Sequence, residues 1–256
     1  MMSSNSKRFS VRKLAIVGVL GSISAVLGLT PLGFIPVGPT RATIMHIPVI
    51  MGAILEGPIV GALVGLIFGL FSIFQAISNP TPVSFVFLNP LVSVLPRILI
   101  GITSYYSYIL FKKLGRKSSL VVLIIIWIAT LGFLINTLVT QINGYIAGEI
   151  MLWKLILTGI LILLTFIVGY FSYKRLKDHA VEVVISAGIG TLTNTIGVLS
   201  MIYFIYTESF VEKLGLNPDT AGKVILGIGV TNGIPEVIVA MLIVTSVVMS
   251  LKKQTR

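Results

Sequence analysis

Long stretches without charge constrain this chain more than any other feature. Residues 14–40, 57–96, 118–148, 155–173 and 183–207 contain no Lys, Arg, Asp or Glu. A bilayer core asks for about 20 consecutive apolar residues per crossing helix, and several of these runs reach that length. Charged residues make up 11% of the chain and hydrophobic ones 55%, where a soluble domain carries about 25% charge. The chain therefore reads as an all-α, polytopic membrane helix bundle.

The net charge of +11 is not a nucleic-acid signature, because of where the charge sits. Lys7, Arg8, Arg12 and Lys13 precede the first apolar run. Lys112, Lys113, Arg116 and Lys117 form a second cluster, Lys174, Arg175 and Lys177 a third, and Lys252, Lys253 and Arg256 close the chain. These 14 of the 19 basic residues flank apolar segments, as the positive-inside rule expects of cytoplasmic loops facing anionic headgroups. The expected location is the cell membrane, with both termini cytoplasmic. A basic start followed by an apolar run from Leu14 imitates a signal peptide, but it reads here as an uncleaved first helix.

Helical segments are expected over about Val11–Leu29, His46–Leu55, a stretch from Pro58 to Ile77, Phe85–Phe111, Leu120–Thr140, Leu155–Tyr173, Val181–Tyr206 and Ala221–Ser250. Pro31 and Pro36 open an outer loop through Thr43. Gly57-Pro58 ends the shortest helix, since proline cannot continue a helix that it does not begin. Ser78-Asn79-Pro80-Thr81-Pro82 is a strong breaker. The span Phe85–Phe111 contains Pro90 and Pro96, which membrane helices tolerate when neighbours satisfy the freed carbonyls. A second polar outer loop is expected over Thr207–Thr220.

Small residues step along two helices. Ala15, Gly18, Gly21, Ser22 and Ala25 lie on the first, with Gly18/Ser22 and Gly21/Ala25 as small-xxx-small pairs. Gly61, Ala62, Gly65 and Gly69 lie on the third. Such steps let helices approach closely where lipid supplies no hydrophobic drive. They serve either packing within the chain or docking of a partner membrane protein.

Arg97 and Glu236 are charges placed inside apolar segments, where isolated charge costs a few kcal/mol and is usually paired or functional. The preferred expectation is a structural Arg97–Glu236 pair. The alternative is that Arg97 reads a substrate carboxylate, which its planar fork suits. Asn89, Asn136, Asn194 and Asn232 each offer a donor and an acceptor, either to a ligand or to carbonyls freed by proline. Arg41 and His46 flank the end of the first outer loop, as solvated residues or as ligand contacts.

Several chemistries are absent from the sequence. There is no cysteine, hence no disulfide or thiolate chemistry. There is no phosphate-binding G-x-x-x-x-G-K-[ST] motif and no H-E-x-x-H metal motif. His46 and His179 stand far apart, and Asp178 and Asp219 fall in loops, so no intramembrane acid dyad is visible. No enzymatic activity, cofactor or metal is expected.

Three separated segments carry a family resemblance. His46-Ile47-Pro48-Val49-Ile50 with Glu56-Gly57-Pro58, then Asn89-Pro90 and Leu95-Pro96-Arg97-Ile98-Leu99-Ile100-Gly101, then Thr231-Asn232-Gly233-Ile234-Pro235-Glu236 resemble the substrate-binding subunits of energy-coupling factor (ECF) vitamin transporters. The likeness covers residues 12–113 and 180–252, and 118–176 reads as an inserted two-helix hairpin. It implies a six-helix core that captures a vitamin at the outer face. The vitamin then passes through a shared membrane coupling protein served by two cytoplasmic ATPases. It also implies a small-residue docking face on the first helix, drawn from Ala15, Gly18, Gly21, Ser22 and Ala25. Substrate contacts are expected among Arg41, His46, Asn79, Asn89, Arg97, Asn194 and Asn232. The segment at His46 resembles pantothenate-type members most and cobalamin-type members next. A stand-alone secondary transporter or channel for a small organic solute is the competing class.

Overall fold

A computed structural model describes residues 10–37, 40–148, 150–174 and 180–254. It is a helical bundle: α1 (Val11–Leu29), α2 (Ile47–Glu56), α3 (Pro58–Ser78), α4 (Pro90–Ser93), α5 (Leu95–Ile146), α6 (Leu152–Lys174), α7 (Ala180–Lys213) and α8 (Ala221–Gln254). Six segments are long and apolar enough to cross a membrane: α1, α3, Pro90–Gly115, Lys117–Ile146, α7 and Pro218–Lys253. The chain is thus a multi-pass membrane protein. The 10 residues of α2 rise only about 15 Å, half the hydrocarbon thickness.

Between α1 and α2 the loop expected on the outer side folds as a small antiparallel ribbon within the all-α bundle. Strand β1 (Phe34–Val37) pairs with β2 (Thr40–Thr43), Phe34 opposite Thr43 and Pro36 opposite Arg41. Its root is tied on both sides. The Ile44 amide donates to the Gly33 carbonyl at 3.0 Å, and Ser24 Oγ on α1 donates to the Met45 carbonyl at 2.9 Å.

Prolines set the helix starts. Pro48, Pro58, Pro90 and Pro96 all occupy first-turn positions, where the missing amide has no intrahelical partner to lose. This corrects the single helix expected over Phe85–Phe111. Ser84–Leu88 is a 3-10 turn, Asn89 caps α4 by accepting the Leu91 amide at 3.0 Å, and the main helix begins only at Leu95. Gly115, at φ +79°, then bends α5 into two arms. The second arm, Lys117–Ile146, forms a hairpin with α6. Helix α7 runs past the expected end at Tyr206, bending there (φ −132°, ψ 17°) and reaching Lys213. The loop expected over Thr207–Thr220 therefore shrinks to residues 214–217 and a 3-10 turn at Pro218–Thr220.

The steps on α3 are packing contacts. A Cβ on Gly65 would lie 2.1 Å from the Arg97 carbonyl oxygen, one on Gly69 2.7 Å from Val94 Cα, and one on Gly61 2.9 Å from Gly101 Cα. From the other side, a Cβ on Gly101 would lie 2.3 Å from the Gly61 carbonyl carbon. Backbone lies directly on backbone along three turns, a distance only glycine permits. Around this seam Val49, Ile50, Val60, Val64, Phe68, Ile100, Val184 and Ile185 form the main apolar core.

Gly65→Ala should destabilise the bundle by about 1–3 kcal/mol, the range for overpacking a close contact. Gly18→Ala should leave it unchanged, since a Cβ there meets nothing within 4 Å. Thermal-shift curves of both variants in one detergent check this, and indistinguishable melting points would contradict the seam.

Candidate functional site

Buried polar side chains collect in one layer where α5, α7, α8 and the start of α2 meet. His46, Arg97, Thr191, Asn194, Asn232 and Glu236 are all buried. Helix contacts set their common level. A Cβ on Gly197 of α7 would lie 2.9 Å from Pro96 of α5, and one on Gly233 of α8 would lie 3.3 Å from Thr195. Asn232 and Glu236 stand one turn apart on α8, as do Thr191 and Thr195 on α7, so each pair shares a helix face.

Glu236 is held by two donors from different elements. Its Oε1 accepts the Thr43 amide of β2 at 2.7 Å, and its Oε2 accepts the Thr195 hydroxyl at 2.9 Å. A buried carboxylate is costly unless its oxygens are so met. Glu236 thereby fastens the β1–β2 ribbon to α7.

Arg97 is anchored differently. Its Nη1 donates to the Val92 carbonyl at 2.5 Å. In a continuous helix that carbonyl would take the amide of residue 96, but Pro96 has none. Arg97 thus satisfies the carbonyl that proline frees, the duty the sequence analysis offered to asparagine. Its guanidinium carbon lies 5.3 Å from the Phe68 ring centre and 5.8 Å from that of Phe87, in cation–π range. Its Nε has no hydrogen-bond partner.

The expected direct Arg97–Glu236 ion pair is not formed. Among the described residues the ion pair joins Arg12 to Glu56 at 2.9 Å. The reason is competition: the Val92 carbonyl engages the arginine, and the Thr43 amide and Thr195 hydroxyl engage the glutamate.

His46 Nε2 lies 3.0 Å from Thr191 Oγ1. That hydroxyl spends its hydrogen on the Ala187 carbonyl at 2.8 Å, so the ring nitrogen is the donor. Asn194 presents a buried Oδ1 with no partner.

The remaining sequence candidates lie elsewhere. Asn79 is exposed at the end of α3. Asn89 caps α4 and donates to Tyr206 Oη at 3.2 Å. Asn136 is exposed on the second arm of α5. Arg41 lies on β2, but its side chain falls outside the described part of the structure, as do Asp178 and His179. Sequence reasoning missed Thr43, Thr191 and Thr195. The threonine pair at i, i+4 beside Asn194 was a usable signal. Thr43 acts through its amide, which no side-chain motif reports.

The family model described as "ECF transporter, substrate-specific component" matches residues 12–154 and 126–248. The chain belongs to that family. Two relatives bear on it. A protein of Lactococcus lactis subsp. cremoris named pantothenic acid transporter PanT is 33% identical over 118 residues, covering 40% of this chain and 60% of that protein. A protein of Leuconostoc mesenteroides named pantothenate transporter PanT is 29% identical over 199 residues, covering 75% of this chain and 94% of that protein.

The structure sorts the small residues of α1 in this substrate-specific component. Gly21 is buried, and a Cβ there would lie 2.6 Å from Ile67 of α3. Ala15, Gly18 and Ser22 are exposed and Ala25 is half-buried. The two small-xxx-small pairs thus divide: Gly21 faces inward, Gly18 and Ser22 outward.

Thr195→Val should cost about 1.5–3 kcal/mol, because it leaves one oxygen of a buried carboxylate without its donor. In thermal-shift double-mutant cycles, Thr195→Val with Glu236→Gln should couple more strongly than Arg97→Gln with Glu236→Gln. The reverse order would restore the direct ion pair.

Proposed function

We propose that this chain is the pantothenate-capture subunit of an ECF-type importer. It would sit in the cell membrane with both termini cytoplasmic, so that the β1–β2 ribbon and the polar layer belong to the outer half of the bundle. The observation that carries the reading is the buried Arg97. Its guanidinium is held in place by Val92, Phe68 and Phe87, and it keeps an unpartnered Nε. A fixed guanidinium is suited to a carboxylate, and pantothenate is a carboxylate whose other polar groups are hydroxyls and an amide. Asn194 Oδ1, an acceptor without a donor, suits a hydroxyl or amide hydrogen of such a ligand. His46 and Asn232 are buried in the same polar layer, and Arg41 lies on β2, whose Thr43 amide is held by Glu236. The printed names of both relatives point to the same substrate.

Release requires energy that this chain has no motif to supply. A membrane coupling protein with two cytoplasmic ATPases would provide it, docking on the outward Ala15–Gly18–Ser22 face of α1. The chain itself is a transport subunit, not an enzyme. The second arm of α5 and α6 pack on α8 through Leu134, Leu161 and Ile238.

The purified chain should bind pantothenate below micromolar concentration by titration calorimetry. Arg97→Gln should weaken binding about 10- to 150-fold, the worth of one charge-assisted contact. No binding of pantothenate or of any other B vitamin would overturn the reading.

Pantothenate uptake by cells should also require co-expression of the coupling protein and ATPases. Gly18→Leu should abolish that uptake while leaving binding intact. Uptake by the chain alone would instead identify a stand-alone transporter.

A further inference from the structure

The segment between α3 and α5 supplies two of the three groups that hold Arg97. The Val92 carbonyl accepts from its Nη1, and the Phe87 ring centre lies 5.8 Å from its guanidinium carbon. Phe87 belongs to the 3-10 turn Ser84–Leu88 and Val92 to α4. A turn of five residues and a helix of four are far too short to be stable by themselves. Their geometry has to be imposed by side chains around them.

Asn89 stands between the two elements and does this. Its Oδ1 accepts the Leu91 amide at 3.0 Å, and its main-chain carbonyl accepts the Val92 and Ser93 amides, each at 3.0 Å. With the side-chain oxygen so committed, the other end of the amide is the donor, and Nδ2 reaches Tyr206 Oη of α7 at 3.2 Å. Tyr206 is the residue at which α7 bends. Its ring meets Phe85 of the 3-10 turn edge-on, with centres 5.6 Å apart. Ser93 Oγ donates to the Phe87 carbonyl and closes α4 back onto the turn. The C-terminal end of α4 is supported by main chain instead, since a Cβ on Gly69 of α3 would lie 2.8 Å from the Ser93 carbonyl oxygen. The foot of α4 thus rests on α3, and its head is tied to α7 through one amide and one phenol.

We infer that the Asn89–Tyr206 hydrogen bond positions Arg97 for a ligand carboxylate without touching the ligand. The bond fixes α4, α4 presents the Val92 carbonyl, and that carbonyl directs the guanidinium. Asn89 and Tyr206 are positioning residues, and they govern affinity for one part of the ligand and not for the rest. The inference rests on the reading above that Arg97 meets a carboxylate.

The test uses the full-length chain in detergent and titration calorimetry with two ligands, pantothenate and its alcohol analogue, in which a hydroxymethyl group replaces the carboxylate. The ratio of the two affinities reports the carboxylate contact. The unaltered chain should prefer pantothenate, and Arg97→Gln should bring the ratio close to parity. Tyr206→Phe keeps the ring against Phe85 and removes only the hydroxyl. It should lower the ratio about 3- to 10-fold, the worth of one neutral hydrogen bond, by weakening pantothenate and leaving the alcohol unchanged. Asn89→Ser keeps a helix cap but is too short to reach Tyr206, so it should give the same loss. The two changes together should lose no more than either alone, and Tyr206→Phe should change nothing on the Arg97→Gln background. An equal loss for both ligands would make the bond merely structural and overturn the inference. So would an unchanged ratio, or a loss that persists without Arg97. An unaltered chain that binds both ligands equally, or neither, would remove the carboxylate reading and the inference with it.

Discussion

The close approach of α3 to α5 is the contact on which the rest depends. Gly61, Gly65 and Gly69 put the backbone of one helix against the backbone of the other at Gly101, Arg97 and Val94. In lipid there is little hydrophobic gain from bringing helices together, so the attraction is close contact between main chains. That contact has a consequence for function. It presses on the peptide of Arg97 itself, so the arginine backbone has no freedom to drift. Its side chain is then drawn back by the Val92 carbonyl, which Pro96 leaves unpaired. A packing device and a proline together fix the direction of one guanidinium.

The buried charges are consequently independent in their supports. Had Arg97 and Glu236 closed on each other, both would be neutralised, and the layer would offer a carboxylate ligand little. Instead each is satisfied by a different part of the chain, Glu236 by the β1–β2 ribbon and α7, Arg97 by the freed carbonyl and two aromatic faces. The arginine keeps unspent donor capacity at Nε, and the glutamate holds the ribbon through the Thr43 amide. This division is what makes a binding role more consistent with the geometry than a purely structural one.

Much of this was legible in the sequence, and the misses share a cause. The uncharged runs marked the spans, and the breaks at Gly57-Pro58 and Ser78–Pro82 fell where the helices end. The prolines of the fourth segment were harder, because Pro90 and Pro96 look alike whether they interrupt a helix or start one. The deciding feature is Asn89, whose side chain caps the amide of Leu91. The burial of Arg97 and Glu236 was legible, but their choice of partner was not. That choice depends on the rotational setting of α5 and α8 and on a main-chain amide at Thr43, which no residue type announces. The ribbon escaped notice because its strands are four residues each, too short for an alternating pattern to register.

Helix α1 and the helical hairpin show how one chain treats two kinds of membrane-facing surface. On α1 the inward glycine is filled by Ile67, whereas the outward Gly18 faces open space. Small residues gain little against mobile lipid tails but let another helix approach closely. The hairpin is the opposite case. Its outward positions are bulky, with Ile125, Ile128, Ile135, Leu163 and Phe166 all exposed, and no glycine seam draws it onto the core. It is attached through Leu134 and Leu161, which cluster with Ile238 of α8, and through Leu123, which joins the main core. A surface of that kind is complete when lipid covers it. The two surfaces differ accordingly: α1 presents an outward row of small residues among its apolar ones, and the hairpin presents bulky apolar residues.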